Sequence, residues 1–141
     1  MNGPPLVFLD ASILFSAALG GPAFELLLEL AEKERIRPAT SRSCVVEAET
    51  NLDRKRPDRR KALTAILDHV TVAPGDKAAD EHLSWAAGLV HADDAHVLAA
   101  ARRAGADVLL TGDTTHFGAL MERNDIGLRV RTPRAFLLEG P

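Results

Sequence analysis

The sequence predicts an α/β domain: a three-layer arrangement in which helices cover both faces of a central, mainly parallel sheet of about four to five strands. Three observations carry that expectation. Short apolar runs of strand length alternate along the chain with longer segments of helical period, which is the pattern of a parallel sheet with helical crossovers. The 141 residues suffice for one domain with a real core and are too few for two comfortable ones. No internal repeat, low-complexity tract or linker divides the chain, so residues 1–141 are expected to form a single domain.

The elements follow in order. PLVFLD (residues 5–10) is a short apolar run ending in an acid, and reads as a buried strand. ASILFSAALGGPAFELLLELAEKERI turns helical; Gly20-Gly21-Pro22 divides it in two, the second half amphipathic through Phe24, Leu27, Leu28 and Ala31. RPATS is the next strand, with Ser41 placed to cap the helix RSCVVEAETNL. The charged run DRKRPDRRK follows, and Pro57 starts a further helix through Leu63, Ile66 and Leu67. VTVAP is a strand and DKAADEHLSWAAGLV a helix, with Trp85 and Leu89 spaced as core or a packing anchor. HADDAHVLAAARRAGADVLLTGD (residues 91–113) supplies one more helix and the strand DVLLTGD. GLRVRTPRAFLL gives a last strand that Thr132-Pro133 ends.

Composition narrows the function classes. Hydrophobic content of 46% and charged content of 26% are those of an ordinary globular protein. A net charge of −3 provides no overall basic field for nucleic acid or membrane. Cys44 is the single cysteine, which excludes an intramolecular disulfide and points to a reducing compartment. A signal peptide is not expected, because the amino end lacks a basic region, carries Pro4-Pro5, and has its apolar run broken by Asp10. No run approaches the roughly 18 to 20 apolar residues of a membrane helix. A soluble cytoplasmic protein is expected.

The acids are the chemical signal. Asp10 and Asp113 each stand directly after a predicted strand, at the strand ends where parallel sheets place their sites. Asp94 shares a helical stripe with Val97, Leu98 and Ala101 and so points inward at a first turn. Asp93, about 100° round the helix, is expected to be its N-cap. One Asp after a strand is usually a turn former or cap. Several that converge are costly unless protons or metal ions neutralise them.

FLDAS, SRSCVVEAETNL, DAHVLAAARRAGADVLLTGD and THF, in that order and separation, resemble the PIN domain family. These are small metal-dependent nucleases that include the toxins of VapC-type toxin–antitoxin pairs, and the likeness spans roughly residues 6–135. The resemblance implies a quartet of Asp10, Glu47, Asp94 and Asp113. Asp10, Asp94 and Asp113 would bind metal, and Glu47 would bind metal or orient the attacking water. Ser12 and Thr111 would position a ligand. The register Ser41, Glu47, Leu52 fits the family pattern, whereas helical phase groups Val45, Ala48, Glu49 and Leu52, so Glu49 stays as the alternative second acid. His116 stands where some relatives carry another acid, which leaves one or two metals open. Oxygen ligands suit Mg²⁺ or Mn²⁺, and phosphodiester hydrolysis needs the activated water and charge neutralisation that such ions supply. The resemblance further implies an RNA substrate, an antitoxin inserting a basic or apolar segment near the acidic pocket, and a homodimer formed through helical faces.

Arg54, Lys55, Arg56, Arg59, Arg60 and Lys61 follow the Glu47 helix. Such a run is most often a solvated face, yet an acidic pocket that holds a polyanion needs positive charge nearby. Arg54, Lys55, Arg56, Arg59 and Arg60 are therefore the expected RNA-backbone contacts, with Arg102 and Arg103 more distant. Aromatics at 4% and the lack of tyrosine argue for a single strand gripped by its phosphates rather than by base stacking. His91 and His96 are five residues apart and Cys44 is alone, which speaks against a zinc centre; His116 reads as a surface, capping or auxiliary group. Three rivals remain. One is a non-catalytic RNA- or protein-binding module on the same fold. A receiver-like phospho-acceptor domain would need a lysine after a late strand, where RVRTPR has arginines. A haloacid-dehalogenase-like phosphatase would need an aspartate where Ser12 stands.

Overall fold

The computed structural model describes residues 3–73 and 80–141. Five parallel strands form one sheet: β1 (Leu6–Leu9), β2 (Arg37–Ser41), β3 (Thr71–Ala73), β4 (Val108–Leu110) and β5 (Arg129–Arg131), in the order β3-β2-β1-β4-β5. The helices α1 (Ala11–Ala18), α2 (Pro22–Glu32), α3 (Arg42–Lys55), α4 (Arg60–Leu67), α5 (Asp80–Ala87), α6 (Ala92–Arg103), α7 (Thr114–Met121) and α8 (Pro133–Glu139) flank it, with a 3₁₀ turn at Pro57–Arg59. This is the predicted three-layer α/β/α architecture. Val7, Phe8 and Leu9 of β1 and Val108, Leu109 and Leu110 of β4 are all buried, as central strands covered on both faces must be. The edge strand β5 buries only Val130 between two half-exposed arginines, and β3 is just as short, which limits edge-to-edge pairing.

The predicted break at Gly20-Gly21-Pro22 turns the chain by 102° between α1 and α2. Gly20 has φ +89, a left-handed conformation that glycine adopts without strain, and Pro22 opens α2. Phe24 and Leu27 are buried from that helix, and Leu28 and Ala31 pack at the core's margin. Ser41 caps α3 by accepting from the Cys44 N–H at 3.2 Å, and Cys44, Val45, Ala48 and Leu52 face the core. α1 packs against α3 and α4, and α5 against α6. In the second pair the Arg102 guanidinium lies 4.4 Å from the Trp85 ring centroid. No single helix is long and apolar enough to cross a membrane among the described residues.

Three expectations change. Helix α6 begins at Ala92 and its N-cap is His91, whose ring accepts from the Asp93 N–H at 3.2 Å. Asp93 lies inside the first turn with its side chain 90% exposed, so it is not the cap. Thr132-Pro133 ends β5 but also starts α8: Thr132 accepts from the Ala135 N–H and Pro133 occupies the first turn. Arg54 and Lys55 belong to the last turn of α3 rather than to the connection after it. Pro74 of the predicted strand VTVAP, and residues 76–79 of the helix drawn after it, lie outside the described residues.

Strand order positions the site. From β1 the chain moves outward through β2 and β3, and then returns to the other side of β1 for β4 and β5. The reversal lies between β1 and β4, and open parallel sheets bind ligands in the crevice at the carboxyl ends of such a pair.

Candidate active site

Asp10 follows β1 and Asp113 follows β4, one on each side of that crevice. Each carboxylate also caps the next helix. Oδ1 of Asp10 accepts from the Ile13 N–H at 3.0 Å, and Oδ1 of Asp113 accepts from the His116 N–H at 3.0 Å. Asp94 lies in the first turn of α6. All three acids therefore sit at helix amino termini, where the exposed N–H groups favour negative charge.

A hydrogen-bonded chain joins the two strand ends. The Ser12 hydroxyl donates to Asp10 Oδ1 at 2.6 Å and accepts from the Gly112 N–H at 3.1 Å. Thr111, fully buried, hydrogen-bonds the Asp10 carboxyl and accepts from the Asp113 N–H at 3.0 Å. The Thr40 hydroxyl adds a third brace, donating to the Leu9 carbonyl at 2.7 Å.

The acids differ in environment. Asp10 is 6% exposed, and burial pushes its carboxyl up from the ordinary range against the opposing pull of Ser12, Thr111 and the Ile13 N–H. No cationic side chain among the described residues lies within ion-pair distance of it. The His116 N–H, with help from the His116 ring and against partial burial, holds Asp113 below its ordinary value. In return Asp113 first, and Asp94 second, push the His116 ring up. His116 Nδ1 is 2.6 Å from Asp113 Oδ2 and 4.0 Å from Asp94 Oδ2. Asp94, Asp113 and His116 form a group whose ligand atoms all lie within 4.8 Å of one another.

Glu47 stands apart from that group. It is exposed on α3, in a shallow open depression with Arg42, Ser43 and Val46. Burial pushes the Cys44 thiol up, and the charges of Asp10 and Glu47 add to the effect, so both acids are within electrostatic reach of that residue. Glu49 points elsewhere, paired with Arg60 at 3.0 Å.

The basic run is largely occupied. Arg56 pairs with Asp58, Arg60 with Asp53 and Glu49, and the Lys55 ammonium lies 5.7 Å from the Phe15 ring centroid. Arg59 Nε donates to the Ala18 carbonyl at 2.7 Å, which satisfies the end of α1. The carboxylates and a supporting place for His116 are legible in the sequence, whereas the Gly112 N–H and the direct contact of the His116 ring with Asp113 are not. The one local hint was Asp113 and His116 standing three apart, the spacing of neighbours on a helix.

The sequence matches the PIN domain family over residues 6–115. The chain belongs to that family. Solved structures agree in fold. This PIN domain superposes on a chain of the VapBC2 complex of Rickettsia felis, solved with a promoter DNA fragment, at TM-score 0.65 and 15% identity, covering 90% of this chain and 98% of that one. It superposes on a chain of VapBC-1 from nontypeable Haemophilus influenzae at TM-score 0.65 and 17% identity, covering 92% and 98%. VapC20 of Mycobacterium tuberculosis, described as a sarcin-ricin loop cleaving toxin, matches at TM-score 0.50 and 22% identity, covering 80% and 93%. No curated protein matches this chain by sequence.

Proposed function

We propose that this PIN domain is a divalent-metal-dependent endoribonuclease, acting in the cytoplasm as the toxin of a toxin–antitoxin pair. The observation that carries the reading is the group of Asp94, Asp113 and His116 beside the strand reversal, with Asp10 joined to the loop that bears Asp113 through Ser12 and Thr111. Of the three acids, Asp10 is buried without a cationic partner among the described residues. Oxygen donors in that number suit Mg²⁺ or Mn²⁺, and such an ion neutralises charge on a phosphodiester and makes water a competent nucleophile.

The protein's own residues have separable roles. Asp10, Asp94 and Asp113 hold the cation. Ser12 and Thr111 keep Asp10 in one orientation, so little rearrangement is needed when a ligand arrives. Glu47, exposed on α3, orients the attacking water or adds a ligand. The toxin assignment draws on the VapBC fold likeness and implies an antitoxin partner; a homodimer is part of the same reading. For RNA contact, Arg54 and Lys61 have no ion-pair or hydrogen-bond partner among the described residues, whereas Arg56 and Arg60 are held in ion pairs and Arg59 by the Ala18 carbonyl.

Cleavage of a mixed single-stranded RNA panel, with Mg²⁺, Mn²⁺ or EDTA, tests the reading. Wild type should cut with metal and not with EDTA. Asp113→Asn, which keeps the cap and removes a charge, should not cut. Clean folded protein that cuts nothing under any condition would favour a non-catalytic binding module. Activity that survives Asp113→Asn would remove the site from these residues.

A further inference from the structure

We infer that His116 is itself a ligand of the divalent cation, so that the site combines an imidazole nitrogen with carboxylate oxygens and prefers Mn²⁺ to Mg²⁺. The inference rests on the nuclease reading for the presence of a cation and adds the identity of a ligand and of the ion.

Distance is the first argument. Neighbouring ligands on an octahedral ion with bonds near 2.1 Å stand about 3.0 Å apart, the bond length times the square root of two. His116 Nδ1 lies 2.6 Å from Asp113 Oδ2 and 4.0 Å from Asp94 Oδ2, on either side of that spacing. Small rotations of three side chains, each with some exposure, would equalise the two. The side chains are 54% exposed for His116, 32% for Asp113 and 20% for Asp94, so none is fully enclosed.

The second argument is what the ring does not do. The cap of α7 is made by the Asp113 carboxylate and the His116 backbone N–H, and needs no imidazole. Among the described residues the polar partners recorded for the ring are Asp113 and Asp94 alone. The ring is therefore held by the same two carboxylates that are proposed to hold the cation, and a bound cation would take the place of the proton that the ring shares with Asp113.

Chemistry then selects the ion. Mg²⁺ strongly prefers oxygen, while first-row transition metals accept imidazole readily, and Mn²⁺ also accepts carboxylates. A mixed site of this kind discriminates between ions that an all-carboxylate site treats more evenly.

Full-length protein with MnCl₂ or MgCl₂ alone, without RNA, provides the test. Pulsed electron paramagnetic resonance of bound Mn²⁺ should show coupling to a directly coordinated ¹⁴N in wild type, and none in His116→Gln. Titration calorimetry should find Mn²⁺ affinity weakened in His116→Gln by at least the roughly tenfold that loss of a supporting partner costs, with Mg²⁺ affinity changed much less. His116→Asp should keep binding and narrow the Mn²⁺ preference. Mn²⁺ that binds in an Asp113-dependent way, but without nitrogen coupling or with coupling that persists in His116→Gln, would overturn the inference and leave the nuclease reading intact. Failure of folded wild type to bind either ion would overturn both.

Discussion

Replacing Asp10 by Asn separates what this carboxylate costs the fold from what it contributes to chemistry. Its Oδ1 accepts from Ser12 and from the Ile13 N–H, and the amide oxygen of Asn can accept both and still cap α1. The charge is lost, together with one of the two oxygens that Ser12, Thr111 and the Ile13 N–H share. That charge is 6% exposed with no ion-pair partner among the described residues, so its removal relieves the metal-free protein. Stabilising substitutions of this kind are worth about 0.5–2 kcal/mol, commonly at the expense of function. An unfolding entropy of about 2.1 cal/mol/K per residue makes each kcal/mol worth about 3 °C here, so Asp10→Asn should melt about 2–7 °C above wild type in EDTA. Mn²⁺ at a hundred times its dissociation constant should raise wild type by about 2.7 kcal/mol, or about 9 °C, and should raise the variant far less. The order of melting temperatures therefore inverts on adding metal.

The assay is thermal unfolding by circular dichroism in EDTA and in excess Mn²⁺, with RNA cleavage measured on the same samples. In EDTA the pH profile carries the same signature. A carboxyl with a raised folded pKa binds more protons in the native than in the unfolded state. Wild-type stability relative to the variant must therefore fall as pH climbs from the unfolded value near 3.9 through the folded one, and stay low above it. A variant that melts below wild type in EDTA at neutral pH would refute the reasoning, since the fold would then be shown to need the charge it is argued to tolerate only for a cation.

Other substitutions divide the remaining roles. Ser12→Ala removes the link between Asp10 and the Gly112 N–H and should weaken Mn²⁺ binding about 10–100-fold while costing only about 1 kcal/mol of stability; unchanged calorimetric affinity would mean that the hydroxyl braces nothing. Glu47→Gln should abolish cleavage and Glu49→Gln should retain it, because Arg60 already engages Glu49; the reverse result would make Glu49 the second acid. Arg59→Ala should lower stability by about 1–2 kcal/mol through loss of the Ala18 contact, without altering the salt dependence of RNA binding. Arg54→Ala should instead reduce the salt slope by about one and leave the melting temperature unchanged.

The elements that were legible in the sequence share a cause. Central strands of a parallel sheet are buried on both faces, so VFL and VLL stand out as unbroken apolar runs, and a glycine pair before proline marks a helix break. Boundaries were less legible because competing residues can do the same local work. His91 and Asp93 both offer a cap two residues apart, and the intrinsic preference for Asp lost to a helix that starts earlier. Pro133 can end a strand or open a helix, and here it follows the first and does the second.

The site divides along the same line. Each carboxylate announces itself locally, after a strand or in a first turn, but the contacts that make them a site join residues far apart in the chain. Ser12 meets the Gly112 N–H across a separation of 100 residues, and only the pairing of β1 with β4 brings them together. Counting charges misleads for a related reason. The basic run contains Asp53 and Asp58 and lies one turn from Glu49, and these acids take up Arg56 and Arg60 once the helices pack. No acidic or basic side chain among the described residues pairs with Asp10, which lies between buried Leu9 and Ala11 where water has little access. A charge kept in such a place weakens the fold unless a proton or a cation neutralises it, and the proposed metal site is the reading in which a cation does so at neutral pH.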